Sequence, residues 1–402
     1  MRILLVGNHH RPVGGAETML LEGERLLREA GHQVSVLALA EPGGPDPCWL
    51  APPAGRFAAV WSRPAAAAVH RLVDRFRPDV AHVHHVYEGL TLSVLDALHR
   101  RGVPVLLTLH DYRPVCPNYR LFRGGRPCQR CLRPALRPVE VVRLGCLEGP
   151  RARAVAAAAE VAVAAGRRTY RQVARFVAPS AYLRDRVVAG GLPADRVTVL
   201  PNPVRPHQPR VVLPDPPRFA YVGRLVDEKG IDVLLAAAAL LPAGIGVDVY
   251  GDGRLAARVR ARVPAERLPV AVHGRIPPEQ VPAALRRATA AVLPALWPEN
   301  CPMSLLEAAA CAVPAVASRV GGIPEIVADG VTGVLVPPGD PAALAAAMTG
   351  LADPVRSARL GTAARARVLA GHPPEGYLAR LGELLAEAAG RPVPAARGTA
   401  RH

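Results

Sequence analysis

Short apolar runs alternate with patterns of helical spacing along the first half of the chain. The runs that predict strands lie at residues 2–7, 34–39, 79–84 and 103–109. Between the first two runs, apolar residues recur at helical spacing and Gly31 supplies a stop, which predicts a helix over residues 16–30. Strands that alternate with helices in this way predict a parallel sheet with helices on both faces.

A second series of the same kind follows a proline-rich segment at residues 201–217, which we interpret as a linker. Its predicted strands lie at residues 218–222, 247–250, 270–273, 290–293 and 315–317. The expected fold class is therefore α/β, with doubly wound Rossmann-like parallel-sheet domains at residues 1–200 and 218–374 that face each other across a cleft. Residues 375–390 are expected to form a helix that returns to the first domain, and residues 391–402 a flexible tail.

The composition narrows the function classes. The chain has 402 residues, half of them hydrophobic, and a net charge of +17. This charge is spread along the chain and only 4% of the residues are aromatic, so base-stacking platforms are scarce and a nucleic-acid partner is not expected. The apolar runs at residues 3–6 and 233–247 are too short for a signal peptide or a membrane span. We expect a cytoplasmic protein with reduced cysteines.

The basic residues are unusually lopsided. Of the 50 lysines and arginines, Lys229 is the only lysine, a pattern typical of a coding bias that replaces lysine by arginine. A lysine that survives such a bias is a candidate functional residue. The same basic character could bring the protein to an anionic inner membrane face as a peripheral contact, although the coding bias explains the charge equally well.

Ligands of open α/β sheets bind where the strands end, so the loops after the strands are the candidate sites. After the first strand, Gly14 and Gly15 open a helix and can present free N–H groups to an anion, although an ordinary tight turn fits equally well. In the second series, Arg224 and Lys229 lie five residues apart on one loop, a pattern suited to gripping a diphosphate. Gly251 belongs to a lone G-x-G, a weak signal.

Two acids flank the start of a predicted helix in the second series. Glu299 precedes Pro302, which suits the first turn of a helix, and Glu307 lies more than a turn inside it among leucine and alanine. Two carboxylates at this spacing can contact different parts of one extended ligand, although a helix-capping acid fits the spacing alone as well.

Taken together, these motifs resemble the retaining GT-B glycosyltransferases of family 4, and the resemblance covers nearly the whole chain. The matching motifs are GGAE at 14–17, PDVAHVH at 78–84, TLHD at 108–111, VLPN at 199–202, Gly223-Arg224, Lys229-Gly230, Gly251-Asp252-Gly253, Glu299 with Glu307, and GGIPE at 321–325. Pro203 departs from the family, which usually has glycine there. The resemblance implies a GT-B fold and a retaining transfer of a sugar from a nucleotide-sugar donor to a glycan, lipid-linked or small-molecule acceptor.

The resemblance also implies roles for single residues. Arg224 and Lys229 would hold and neutralise the donor diphosphate, Glu307 would bond the ribose, and Glu299 the sugar hydroxyls. The N–H groups of Met303, Ser304 and Leu305 would meet the phosphate or sugar. Gly15 would approach the phosphates from the first domain, Gly251 would lie at the donor, and His110 would contact the transferred sugar or the acceptor. Fixed cations can drive departure of the diphosphate, so no cofactor is required for transfer.

Four cysteines fall within about thirty residues of the first domain, at Cys116, Cys128, Cys131 and Cys146. Only one C-x-x-C pair is present, whereas a tetrahedral zinc motif needs two. A structural zinc site or Fe–S cluster and a set of reduced structural thiols are both open interpretations. The alternation of His82, His84 and His85 on a predicted strand is more typical of strand-end polar residues than of a metal site.

Two rival functions fit the same motifs. A non-catalytic nucleotide-sugar-binding protein would keep the donor site without transferring a sugar. A GT-B nucleotide-sugar epimerase would release free nucleotide and sugar with no acceptor. The intact set of Glu299, Glu307, Arg224 and Lys229 favours the glycosyltransferase.

Overall fold

A computed structural model describes residues 1–11, 14–39, 49–50, 60–147 and 149–392, with the backbone alone at 49–50. Its contacts divide the chain into two compact units. The first unit holds the described residues of Met1–Arg120, Gln129–Leu200 and Glu375–His402, and the second holds Leu121–Cys128 and Pro201–Pro374. No helix among the described residues combines the length and apolar character needed to cross a membrane.

Among the described residues, nine strands precede residue 200. They are β1 Arg2–Val6, β2 Gln33–Leu39, β3 Trp49–Leu50, β4 Val80–Val83, β5 Val105–Thr108, β6 Phe122–Arg123, β7 Arg126–Pro127, β8 Arg175–Ala178 and β9 Val197–Val199. Six follow: β10 Arg218–Val222, β11 Gly246–Tyr250, β12 Val270–Gly274, β13 Ala290–Leu293, β14 Ala315–Ser318 and β15 Gly333–Val336. Nine of the fifteen agree with predicted strands to within two residues at each end, whereas β3, β6, β7, β8, β9 and β15 have no predicted counterpart.

The α-helices fill the crossovers between parallel strands. Those of the first unit are α1 Gly15–Glu29, α2 Arg63–Phe76, α3 Ser93–Arg100, α4 Arg137–Leu144, α5 Arg151–Gly166 and α6 Ala181–Ala189. The second unit adds α7 Ile231–Ala238, α8 Ala256–Ala265, α9 Val281–Arg286, α10 Met303–Ala310, α11 Ile323–Ile326, α12 Pro341–Leu351 and α13 Pro354–Gly371. The last helix, α14 Pro374–Ala388, packs in the first unit, where Glu387 pairs with Arg175 at 3.3 Å.

Both units contain a parallel sheet of the doubly wound type. The first sheet has the order β3-β2-β1-β4-β5-β8-β9 and the second the order β12-β11-β10-β13-β14-β15. The inner strands β4, β5, β13 and β14 are buried along their whole length, which explains their continuous runs of apolar residues. The strand order reverses between β1 and β4 and between β10 and β13, so the loops after these strands form the expected ligand sites.

One glycine sets how closely two of these loops approach. Gly230 ends the turn after β10 with φ +73°, a left-handed conformation, and a Cβ there would lie 1.8 Å from the Pro294 carbonyl oxygen. The main chains that follow β10 and β13 can therefore pack against each other only when position 230 has no side chain.

We expect Gly230→Ala to destabilise the protein far more than Gly244→Ala. Both glycines have positive φ, which costs an alanine about 1–2 kcal/mol, but nothing lies within 4 Å of a Cβ at Gly244. Gly230→Ala adds a backbone clash that overpacking data put at about 1–3 kcal/mol more. Urea denaturation of both variants measures the difference, and equal losses of stability would contradict the close approach.

Candidate functional site

The only lysine of the chain lies in a buried ion pair. Its Nζ is 2.5 Å from Oε1 of Glu299, and the two side chains are 16% and 6% exposed. Trp297 Nε1 donates a hydrogen bond to the same oxygen at 2.6 Å, and the Lys229 Nζ lies 5.8 Å from the Trp297 ring centroid. The parallel pairing of β10 with β13 thus brings together two predicted site residues that are seventy positions apart in the sequence.

The main chain holds Glu299 in place. Leu296 N donates to the Glu228 carbonyl at 2.9 Å, which ties the loop after β13 to the loop after β10. Gly322 N donates to the Glu299 carbonyl at 2.7 Å, and a Cβ on Gly321 would lie 2.1 Å from that carbonyl oxygen. The carboxylate is therefore fixed by loops from three strands before any ligand is present.

Arg224 and Lys229 occupy the same loop in different states. Tyr221 Oη donates to the Arg224 carbonyl at 2.7 Å, which fixes the backbone after β10. The Arg224 side chain is exposed, and within the described part of the chain it forms no ion pair. The loop therefore presents one free guanidinium and one ammonium already held by a carboxylate. Gly251 lies beside this loop, since Leu225 N donates to the Asp252 carbonyl at 2.9 Å.

Helix α10 begins at Met303, with Pro302 as the residue that precedes the first turn rather than part of it. Leu305 N donates to the Pro302 carbonyl at 3.1 Å. The N–H groups of Met303 and Ser304 find no acceptor among the described residues. Of the three predicted N–H donors, two are therefore available to an anion at a helix N-terminus.

Glu307 differs from Glu299 in its surroundings. It projects from the second turn of α10, and its carboxyl group has neither a hydrogen bond nor an ion pair with any residue that the structure describes. Burial raises the pKa of its carboxyl group to about 7. One site thus contains a carboxylate that is paired with a cation and a carboxyl group that is close to half-protonated at neutral pH.

The predicted residues of the first unit lie at the ends of β1, β4 and β5. Gly15 is exposed in the first turn of α1. His110 follows β5, and its Nε2 lies 2.9 Å from Nδ1 of His84, which follows β4. Burial lowers the pKa of His110 to about 3 and that of His84 well below its usual range. This stacked pair of neutral rings, 5.1 Å apart, is a feature that the sequence reasoning missed.

His82 extends the histidine group inside the sheet. Its ring centroid is 4.2 Å from that of His84, and its Nε2 lies 2.8 Å from Thr108 Oγ1. Burial lowers the pKa of His82 to about 3. The Nδ1 atom of His82 and the Nε2 atom of His84 are buried without a hydrogen-bond partner. Burial therefore keeps all three rings neutral at physiological pH.

The four cysteines of the predicted site are accounted for in the described ranges. No group of three or more His, Cys, Asp or Glu side chains suited to a metal ion occurs in the ranges that the structure describes. Cys116 Sγ instead donates to Asn118 Oδ1 at 3.1 Å, and Asn118 Nδ2 donates to the Cys146 carbonyl at 3.3 Å. Cys131 is buried, and Cys128 is partly exposed. The zinc or Fe–S site stays a prediction.

Comparisons with known proteins agree with this architecture. A family model described as Glycosyl transferases group 1 matches residues 206–367, and one described as Glycosyltransferase Family 4 matches residues 13–208. The alpha-maltose-1-phosphate synthase of Mycolicibacterium smegmatis is 30% identical over 329 residues, which cover 72% of this chain and 74% of that protein.

Solved structures show the same fold. Sucrose-phosphate synthase from Thermosynechococcus elongatus is 22% identical with a TM-score of 0.72, over 96% of this chain and 98% of that one. Anabaena HepE in complex with UDP-glucose is 18% identical with a TM-score of 0.68, over 96% of this chain and all of that one. The predicted GT-B fold class is confirmed.

We expect the stability of Glu307→Gln, relative to the wild type, to rise with pH. The folded-state pKa of about 7 exceeds the usual 4.5, so the protonated carboxyl favours the folded state below pH 4.5 and that benefit is lost as pH rises through 7. The isosteric amide does not titrate. Thermal denaturation of both proteins from pH 5 to pH 8 measures the gap, and a constant gap would show that the burial of this carboxyl does not shift its pKa.

Proposed function

Because the chain belongs to the glycosyl transferases group 1 family, we propose that this glycosyltransferase moves a sugar from a nucleotide-sugar donor to an acceptor with retention of configuration. The observation that carries the proposal is the Lys229–Glu299 ion pair next to the free guanidinium of Arg224. The UDP-glucose bound in the HepE structure supports a nucleotide sugar as the donor.

Bond breaking in such a donor leaves negative charge on the diphosphate. Arg224 binds it as a planar fork and Lys229 as a point charge, and the N–H groups of Met303 and Ser304 add two donors at a helix N-terminus. These groups are held in place before the reaction, so they stabilise the leaving group without reorganising. This charge stabilisation requires no metal ion.

The two acids bind different parts of the donor. Glu299, fixed beside Lys229, accepts hydrogen bonds from hydroxyl groups of the transferred sugar. Glu307 accepts from the ribose, and ligand binding favours the ionised form of a carboxyl whose pKa is about 7. Gly251, on the loop that contacts the Arg224 segment, completes the donor site.

His110 and Gly15 serve the transfer from the first unit. With a pKa of about 3, His110 contacts a sugar or acceptor hydroxyl as a neutral hydrogen-bonding ring and not as a cation. Its Nε2 faces His84, so Nδ1 is the atom left for a ligand. Gly15 contributes a backbone N–H to the phosphates.

We propose a cytoplasmic location with peripheral contact at an anionic inner membrane face. The net charge of +17 supports this contact. Helix α4 and the residue before it also expose Leu136, Val139 and Val142, which are 44%, 60% and 47% accessible. Arg143 on the same helix adds positive charge next to them.

We expect Lys229→Gln to lower kcat by about 10²–10³-fold, as for loss of one preorganised charge-stabilising donor. The matched control is Arg258→Gln, which removes a surface ion pair with Asp232 in the same unit and should leave turnover unchanged. Assays with nucleotide sugars and product analysis measure the effect. Near-normal turnover of folded Lys229→Gln would contradict the proposed role, and release of free sugar without acceptor would indicate an epimerase.

We expect substitutions of the two acids to change different kinetic parameters. Glu307→Ala should raise the donor KM more than it lowers kcat, because ribose contacts act alike in ground and transition states. Glu299→Ala should lower kcat and leave binding of the bare nucleoside diphosphate unchanged or tighter, because Lys229 is then free to meet phosphate. Calorimetry with UDP, GDP and ADP tests this, and loss of diphosphate binding in Glu299→Ala alone would reverse the two roles.

A further inference from the structure

The first unit contains a cavity that plays no part in the proposed binding of the donor. Its volume is about 110 Å³, and it is partly open to solvent. Nine of its thirteen lining residues are apolar. Four of them are prolines, Pro114, Pro117, Pro134 and Pro138, and we call the space the proline cavity.

Helix α5 forms the opposite wall. Ala157, Val161 and Ala164 line the cavity at spacings of four and three residues, so they share one face of the helix. Their small side chains leave a smooth surface opposite the proline rings. Such a wall offers broad apolar contact and few hydrogen bonds.

The polar groups of the cavity are few and already paired. Arg113 donates to Glu160 Oε2 at 3.0 Å, and these two residues are 8% and 8% exposed. Tyr170 Oη lies 2.9 Å from Tyr87 Oη. These groups can form hydrogen bonds with one polar substituent of a ligand. They are too few to bind the successive hydroxyl groups of a glycan.

A buried arginine keeps the cavity open. Arg137 donates from Nε to the Cys131 carbonyl at 2.9 Å, from Nη1 to the Pro114 carbonyl at 2.9 Å and from Nη2 to the Gly190 carbonyl at 2.8 Å. It has no carboxylate partner in the part of the chain that the structure describes. One side chain thus ties together three backbone segments, and the wall that contains Pro114 is formed before a ligand arrives.

The proline cavity adjoins the histidine pair. Pro114 also lines the smaller cavity that is bordered by His84, His110 and Tyr87. Tyr87 in turn bonds Tyr170 in the wall of the proline cavity. The two cavities therefore share Pro114, and the Tyr87–Tyr170 pair connects their walls.

We infer that the proline cavity holds the body of the acceptor, and that this acceptor is an apolar alcohol rather than a glycan. The inference rests on the proposed function and deepens it by naming the acceptor class. A glycan would bury hydroxyl groups against proline and alanine, and each buried hydroxyl without a partner is costly. An apolar ring or chain that ends in a hydroxyl matches both the walls and the polar end of the cavity.

The test uses the full chain and three probes: 2-naphthol as a ring alcohol, farnesol as a chain alcohol and maltotriose as a glycan. Val161→Phe fills the cavity, and Val155→Phe is its matched control on the same helix, where Val155 is 56% exposed. Dissociation constants are measured by ligand-observed NMR. Binding of UDP, GDP and ADP is measured in the same way, as a test of the donor site. If Val161→Phe fails to fold, Ala164→Val fills less space on the same wall.

We expect an apolar alcohol to bind the wild type and Val155→Phe equally and to bind Val161→Phe about tenfold or more weakly, a change of about 1.4 kcal/mol. Tighter binding of 2-naphthol would indicate an acceptor with an apolar ring, and tighter binding of farnesol an acceptor with an apolar chain. Binding of maltotriose alone, or apolar binding that is insensitive to Val161→Phe, overturns the inference. If no nucleoside diphosphate binds while 2-naphthol or farnesol still depends on Val161, the proposed function fails and the cavity assignment stands.

Discussion

The loops of the second unit are arranged around the buried ion pair between Lys229 and Glu299. Buried ion pairs contribute little net stability, because desolvation offsets most of the attraction, yet loss of one partner is costly. This pair also demands a left-handed glycine at position 230 and a glycine at position 321, where a side chain would strike backbone. The resulting structure holds an ammonium and a carboxylate at one point, an arrangement that would suit the charged, hydroxyl-bearing donor that we propose.

Glu299 and Glu307 differ in their surroundings, and this difference supports different roles for the two acids. Glu299 is fixed beside a cation and a tryptophan N–H, whereas Glu307 has no partner among the described residues and its pKa is raised to about 7 by burial. A carboxyl group that is costly to ionise gains most from a ligand that donates hydrogen bonds to its charged form. The two hydroxyl groups of the ribose in the proposed donor would supply such hydrogen bonds. The spacing of the two acids in the sequence therefore carries no information about their roles, whereas the presence or absence of a cationic partner does.

Much of the fold could be predicted because each strand is a local apolar run and each crossover a local helix. Composition singles out Lys229 as a candidate functional residue, but its partner could not be predicted, because the contact with Glu299 depends on the pairing of β10 with β13. The His84–His110 pair was missed, although a signal existed: each residue follows the end of one of two neighbouring strands. The proline cavity left no signal, since prolines before α4 and alanines of α5 are typical of loops and plain helices.

The neutrality of the histidines decides where charge can be stabilised during transfer. His82, His84 and His110 lie in a row inside and at the edge of the first sheet, and burial holds all of them uncharged across physiological pH. The three histidines can therefore form hydrogen bonds near His110, but none of them supplies a positive charge. In the proposed transfer, the negative charge on the leaving diphosphate would be stabilised by Arg224 and Lys229. A neutral site suits an acceptor that arrives as an uncharged alcohol on an apolar body, since such a ligand brings no charge for a buried imidazole to neutralise.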